Sequence, residues 1–172
     1  MTAEPALLAM RRRVMEAQAR FQAVPEAGAG MLGPPDPTTG ERWDRGNVLG
    51  HMANILPFWT GQVEGVLAGG TWVGRGKTGY VQRKEAIEAG RRRREKELRA
   101  EIERGIAGLL ALLERIEPDD LGRRVEHRRA AETSIKTLEQ VLDDTLVRHL
   151  EAHVHQLEEV TALSAEGPEA GA

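Results

Sequence analysis

The hydrophobic positions fall into four stretches with helical spacing. Leu7, Met10, Val14, Ala17, Phe21 and Val24 recur at steps of three or four, with Pro5 suited to a first turn and arginines on the other side. This predicts a first helix over 5–24, with Arg11 to Arg13 as a solvated face. A second helix is predicted from Asp44, a good N-cap, to Gly69-Gly70, with Val48, His51, Met52, Ile55, Trp59, Val63 and Val66 on one face. Pro57 falls inside it, where it removes one hydrogen bond or kinks the helix. A third helix is predicted over 84–116. Its first part is polar, and its second carries Leu98, Ile102, Ile106, Leu109 and Leu113 at core spacing. A fourth runs from Thr137 to about Leu163, opened by the capping box Thr137-Leu-Glu-Gln140.

The intervening segments read as connectors. Residues 25–42 hold Pro25, Gly28, Gly30, Gly33, Pro34, Pro35, Pro37 and Gly40, which leave no room for a regular element. Residues 71–83 form a second loop, with three glycines and with Trp72, Arg75, Lys77, Tyr80 and Arg83. Gly74-Arg75-Gly76-Lys77-Thr78 is too short for a phosphate loop, and no strand precedes it. Residues 122–136 read as a polar connector holding His127, and 164–172 as a frayed tail. The fold class expected is all-α: a four-helix bundle with long connections after helices 1 and 2, occupying 1–163 as one domain.

The fourth stretch carries the chemistry. Its apolar stripe is Leu138, Leu142, Leu146, His149, His153, Leu157 and Val160, so two histidines four residues apart sit where a core is expected. That spacing puts both imidazoles on one helical face, a turn apart. His51 lies on the stripe of the second helix. Three neutral imidazoles with coordination positions left open describe a catalytic metal site rather than a closed structural one. The competing reading is that these are hydrogen-bonded packing histidines. His155 points to the other side of its helix, and both it and His127 read as surface residues. Glu151 lies midway between the two histidines, so the segment is not the H-E-x-x-H of a zincin. Trp43 and Trp59 read as packing residues.

Composition narrows the field. The 172 residues contain no cysteine, which removes disulfides, thiolate metal sites and cysteine nucleophiles. A net charge of −3 favours neither nucleic acid nor a membrane surface. The run Arg91 to Arg94 has acidic neighbours and no aromatic platform, so a solvated face is expected in place of nucleic-acid binding. No apolar run is long enough to span a membrane. With Arg11 to Arg13 interrupting the only apolar stretch near the N-terminus, no signal peptide is expected, and the expected address is the cytoplasm.

Trp43-Asp44-Arg45-Gly46-Asn47-Val48-Leu49-Gly50-His51-Met52, followed about a hundred residues later by Arg148-His149-Leu-Glu-Ala-His153-Val-His-Gln156-Leu157, resembles the DinB superfamily. That superfamily includes the mycothiol-dependent maleylpyruvate isomerase N-terminal domains and the bacillithiol transferases. The resemblance spans about Leu7 to Leu163. It implies a four-helix bundle with a divalent metal at one end of its core, held here by His51, His149 and His153. It also implies frequent homodimers and a low-molecular-weight thiol, mycothiol or bacillithiol, as cosubstrate. The isomerase branch has Glu where this chain has His149, which leans toward the transferase side. Three imidazoles suit zinc, nickel or iron, with zinc or nickel preferred.

The expected function is transfer or isomerisation of a small substrate with a thiol cofactor, with Trp72, Arg75 and Arg83 reaching an anionic substrate. The alternative is a non-catalytic metal-binding or stress-related helical dimer.

Overall fold

The computed structural model describes residues 3–27, 30, 32–35, 40–129 and 132–166. Its elements run α1 (Ala3–Ala23), α2 (Arg45–Leu67), β1 (Trp72–Gly74), α3 (Lys77–Gly90), α4 (Glu95–Arg115), a 3-10 turn (Pro118–Gly122), β2 (Arg124–Arg128), β3 (Thr133–Thr137), α5 (Leu138–Leu142), a π-helical turn (Asp143–Val147) and α6 (Arg148–Glu166). The protein is therefore mostly helical with a small three-stranded sheet. That sheet corrects the all-α expectation. Gly28, Pro37 and the expected tail from 167 onward lie outside the described residues.

The first two helices follow the hydrophobic pattern. All six stripe residues of α1 are buried. Arg13, however, is only partly solvated: it donates to Asp143 Oδ1 at 2.6 Å and to Glu151 Oε1 at 2.7 Å, bridging α1 to the π turn and α6. In α2, Asp44 caps as expected. Its carboxylate accepts from Asn47 N at 3.0 Å, and Asn47 Oδ1 accepts from Asp44 N at 3.1 Å. Arg91, just past the end of α3, braces that cap, with Nε 2.7 Å from Asp44 Oδ2. The helix ends at Leu67, and Gly69 turns the chain with φ +104°.

The third helix departs from expectation. Instead of one rod over 84–116, α3 begins at Lys77, and the chain turns at Arg91–Arg94 before α4. The cause is tertiary. Gly46 and Gly50 of α2 meet Ala86 and Gly90 of α3 backbone against backbone. A Cβ on Gly50 would lie 2.3 Å from Ala86 O, and one on Gly90 would lie 2.1 Å from Gly46 O. The turn lets α3 and α4 both pack on α2. Arg45, 1% exposed, locks the junction by pairing with Glu95, bonding Thr161 and donating to Pro25 O at 2.6 Å.

Residues 122–136 are not an irregular connector. β2 pairs in parallel with β1 (Val73 opposite His127) and antiparallel with β3 (Glu126 opposite Ile135). Along β2, Val125 and His127 turn inward while Arg124 and Arg128 face out.

The last rod is close to its expected form. Thr137 caps α5: its Oγ1 accepts from Gln140 N at 3.2 Å, and Gln140 Oε1 accepts from Thr137 N at 2.9 Å. The helical path continues through the π turn into α6, past the expected end at Leu163 to Glu166. Such wide turns insert one residue and often stand at functional sites. Here Asp143 and Asp144 on the π turn are held by Arg13, Lys136 and Arg148.

Candidate metal centre

His51 projects from the second turn of α2, and His149 and His153 from the start of α6. One potential ligand nitrogen from each lies within 4.8 Å of the others. His51 Nε2 and His149 Nε2 are 3.2 Å apart. Two nitrogens bound to one ion at about 2.0–2.1 Å in tetrahedral geometry stand roughly 3.3 Å apart. The spacing therefore fits a shared cation. His153 Nδ1 donates to Gln156 Oε1 at 2.9 Å, which fixes its tautomer with Nε2 as the unprotonated nitrogen. Among the described residues no carboxylate enters the cluster.

The surroundings keep the His51 and His149 rings neutral. His51 is 1% exposed and its pKa is driven far down, by burial first and then by the neighbouring histidines and by Arg83 and Arg75. His149 is pulled down to about 3 by burial, His153 and the same two arginines. Neutral imidazole is the ligating form. His51 Nδ1 is buried without a hydrogen-bond partner. That ring is held by packing instead: the indole of Trp43 meets its edge at 5.0 Å between centroids and stacks on His153 at 5.7 Å and 16°. Trp43 thus packs as expected, but against the candidate ligands.

Above the histidines opens a cavity of about 330 Å³, walled by Trp43, Gln156, Arg83 and Arg148 among others. A second cavity, of about 290 Å³, shares Arg83, Asp144 and His149 with the first and reaches to Arg75, Trp59 and His127. Of the three residues expected to meet an anionic substrate, Arg83 lines both cavities and Arg75 the second. Trp72 lines neither. It is 45% exposed, with the Arg128 guanidinium 4.6 Å from its ring.

His127 needs a correction. It is 3% exposed, set edge-on to Trp59 at 5.8 Å. The alternation Arg124-Val125-Glu126-His127-Arg128 is the strand signal that would have found it. His155 is exposed beside Glu158 and Glu159. Arg93 and Arg94 of the basic run pair with Glu101 and Glu97.

Fold and site together define a mostly helical protein carrying a three-histidine cluster, able to hold a metal ion, at the floor of an open cavity. Comparison with protein families shows a match to the mycothiol maleylpyruvate isomerase N-terminal domain over residues 19–153. The chain belongs to that family, a member of the DinB-like superfamily. The matched span contains all three histidines. No curated protein and no solved structure matches. Among the described residues no helix is long and apolar enough to cross a membrane.

Proposed function

We infer that the protein is a metal-dependent enzyme of the DinB type, in which His51, His149 and His153 hold a divalent ion and a low-molecular-weight thiol reacts with a small substrate above it. The observation that carries this reading is the convergence of three imidazoles on the floor of a cavity, with no carboxylate joining them among the described residues. The family match supports the thiol, mycothiol or a relative such as bacillithiol. Histidine at 149, in place of the glutamate of the isomerase branch, favours transfer over isomerisation.

Zinc or nickel in that site would supply Lewis acidity and keep a bound thiol ionised at neutral pH. The chain's own residues do the rest. Gln156 holds the His153 ring by its Nδ1 proton. Trp43 packs against two of the rings and walls off one side of the cavity. Arg83, which the carboxylate of Glu41 approaches only to 3.9 Å, directs positive charge toward both cavities and suits an anionic substrate. A bundle arrangement of α1, α2, α4 and α6 and a homodimeric assembly belong to the same reading.

The test is thiol conjugation by tag-free protein loaded with zinc or nickel, offered a low-molecular-weight thiol and a panel of electrophiles. Wild type is expected to turn over, and His51→Ala to fall to background. Bound metal without thiol binding or turnover would favour a non-catalytic metal-binding protein instead.

A further inference from the structure

Arg75 is an interior cation whose hydrogen bonds and ring contact are all to neutral groups. It is 9% exposed. Its guanidinium lies 4.0 Å from the centroid of the Phe58 ring and donates to Gly79 O at 3.0 Å and to Asn54 Oδ1 at 3.4 Å. No carboxylate among the described residues forms an ion pair with it. Burial, and then the charge of Arg83, pull its pKa down to about 10, which leaves it charged at neutral pH. Holding an uncompensated charge inside a protein is costly.

The backbone that delivers Arg75 is specific. Gly74 ends β1 with φ +152°, and a Cβ there would lie 2.1 Å from Arg128 O. Its N–H donates to Gln62 Oε1 at 3.0 Å. Only glycine fits this close approach of β1 to β2, and the next residue is the buried arginine.

Arg75 lines the second cavity, opposite the π turn. His127, which also lines it, makes no ring hydrogen bond among the described residues, and its Nδ1 is sealed from solvent. Burial, with Arg129 and Lys136 nearby, lowers its pKa and favours the neutral form. The cavity's carboxylate, Asp144, is already neutralised by Lys136 at 2.5 Å and Arg148 at 3.3 Å. The balance of charge left in the compartment is positive.

We propose that this second cavity is an oxyanion subsite, in which the Arg75 guanidinium takes a carboxylate or phosphate of a small ligand and the imidazole of His127 hydrogen-bonds beside it. Arg83 and His149 belong to both cavities, so the rest of such a ligand extends toward the histidine cluster. The inference deepens the reading of the previous subsection by locating the acidic end of the substrate. Binding itself needs no metal, so the two stand or fall separately.

The experiment is calorimetric titration of metal-stripped, full-length protein with succinate and, separately, with inorganic phosphate, at ionic strength held constant with chloride. At least one probe is expected to bind saturably. Which probe does so identifies the acid group. Arg75→Gln is expected to weaken it about tenfold or more, and His127→Gln several-fold, while Arg115→Gln, an exposed arginine paired with Glu64, leaves it unchanged. If neither probe binds wild type better than chloride, or if folded Arg75→Gln binds as wild type does, the subsite is overturned. Should Arg75→Gln fail to fold, His127→Gln decides, and undiminished affinity there overturns it. Binding with no thiol-transfer activity would leave the subsite standing and remove the enzymatic reading.

Discussion

Two adjacent residues of α2, Gly50 and His51, stand in opposite surroundings. Gly50 faces α3, where backbones touch and no methyl group fits. His51 faces α6 at the floor of a cavity, one ring nitrogen 3.2 Å from His149 and the other buried without a hydrogen-bond partner. A close-packed seam on one side of a helix fixes the position of a side chain on the other. Open, partly unsatisfied sites are costly, and they persist where the surrounding structure leaves no alternative arrangement. The glycine seam of Gly46, Gly50 and Gly90 is that constraint here.

The contrast predicts a wide spread of effects for equally small changes. Gly50→Ala forces apart two backbones and is expected to destabilise by about 3 kcal/mol or more. Gly61→Ala, in the same helix with nothing within 4 Å of a new Cβ, should be neutral or stabilise by about 0.5–1 kcal/mol. Urea unfolding of both variants measures the difference, and equal midpoints would remove the seam from the account.

Acid breaks the other side. His51 and His149 both have folded-state pKa values below the ordinary one, His149 at about 3. The unfolded chain therefore binds more protons below about pH 6.5, and stability falls as pH drops from there toward 3. For metal-free protein the loss is expected to be on the order of a few kcal/mol. His149→Gln should flatten the slope, as read from unfolding midpoints across that range.

A gentler change sharpens the site. Gln156→Leu removes the acceptor for His153 Nδ1 without touching a candidate ligand. It is expected to weaken zinc affinity about ten- to a hundredfold in a competition titration with a chelator. Smallest of all, Arg94→Ala breaks an exposed pair with Glu97 and should shift stability by no more than about 0.5 kcal/mol.

Much of this comparison was legible in the chain, unevenly. The histidines were, because three sit on apolar stripes of period 3.6 and imidazole has no reason to be there alone. The caps at Asp44 and Thr137 were, because capping is local chemistry. The glycine seam was not. Gly46, Gly50 and Gly90 mean nothing until α3 folds back on α2, and the break at Arg91–Arg94 follows from that contact in a run of good helix formers. β2 is only faintly legible: its alternation turns Val125 and His127 inward among five residues, a short signal inside a polar run. Arg13 looked like one of three solvated arginines, and its role depends on carboxylates more than a hundred residues away.

Metal content tests the central claim most directly. Tag-free protein, wild type beside His149→Ala, is analysed for bound elements after dialysis against zinc or nickel. The account predicts close to one ion per wild-type chain and near none in the variant, with the variant still folded. Equal content in the two, or none in either, would contradict it.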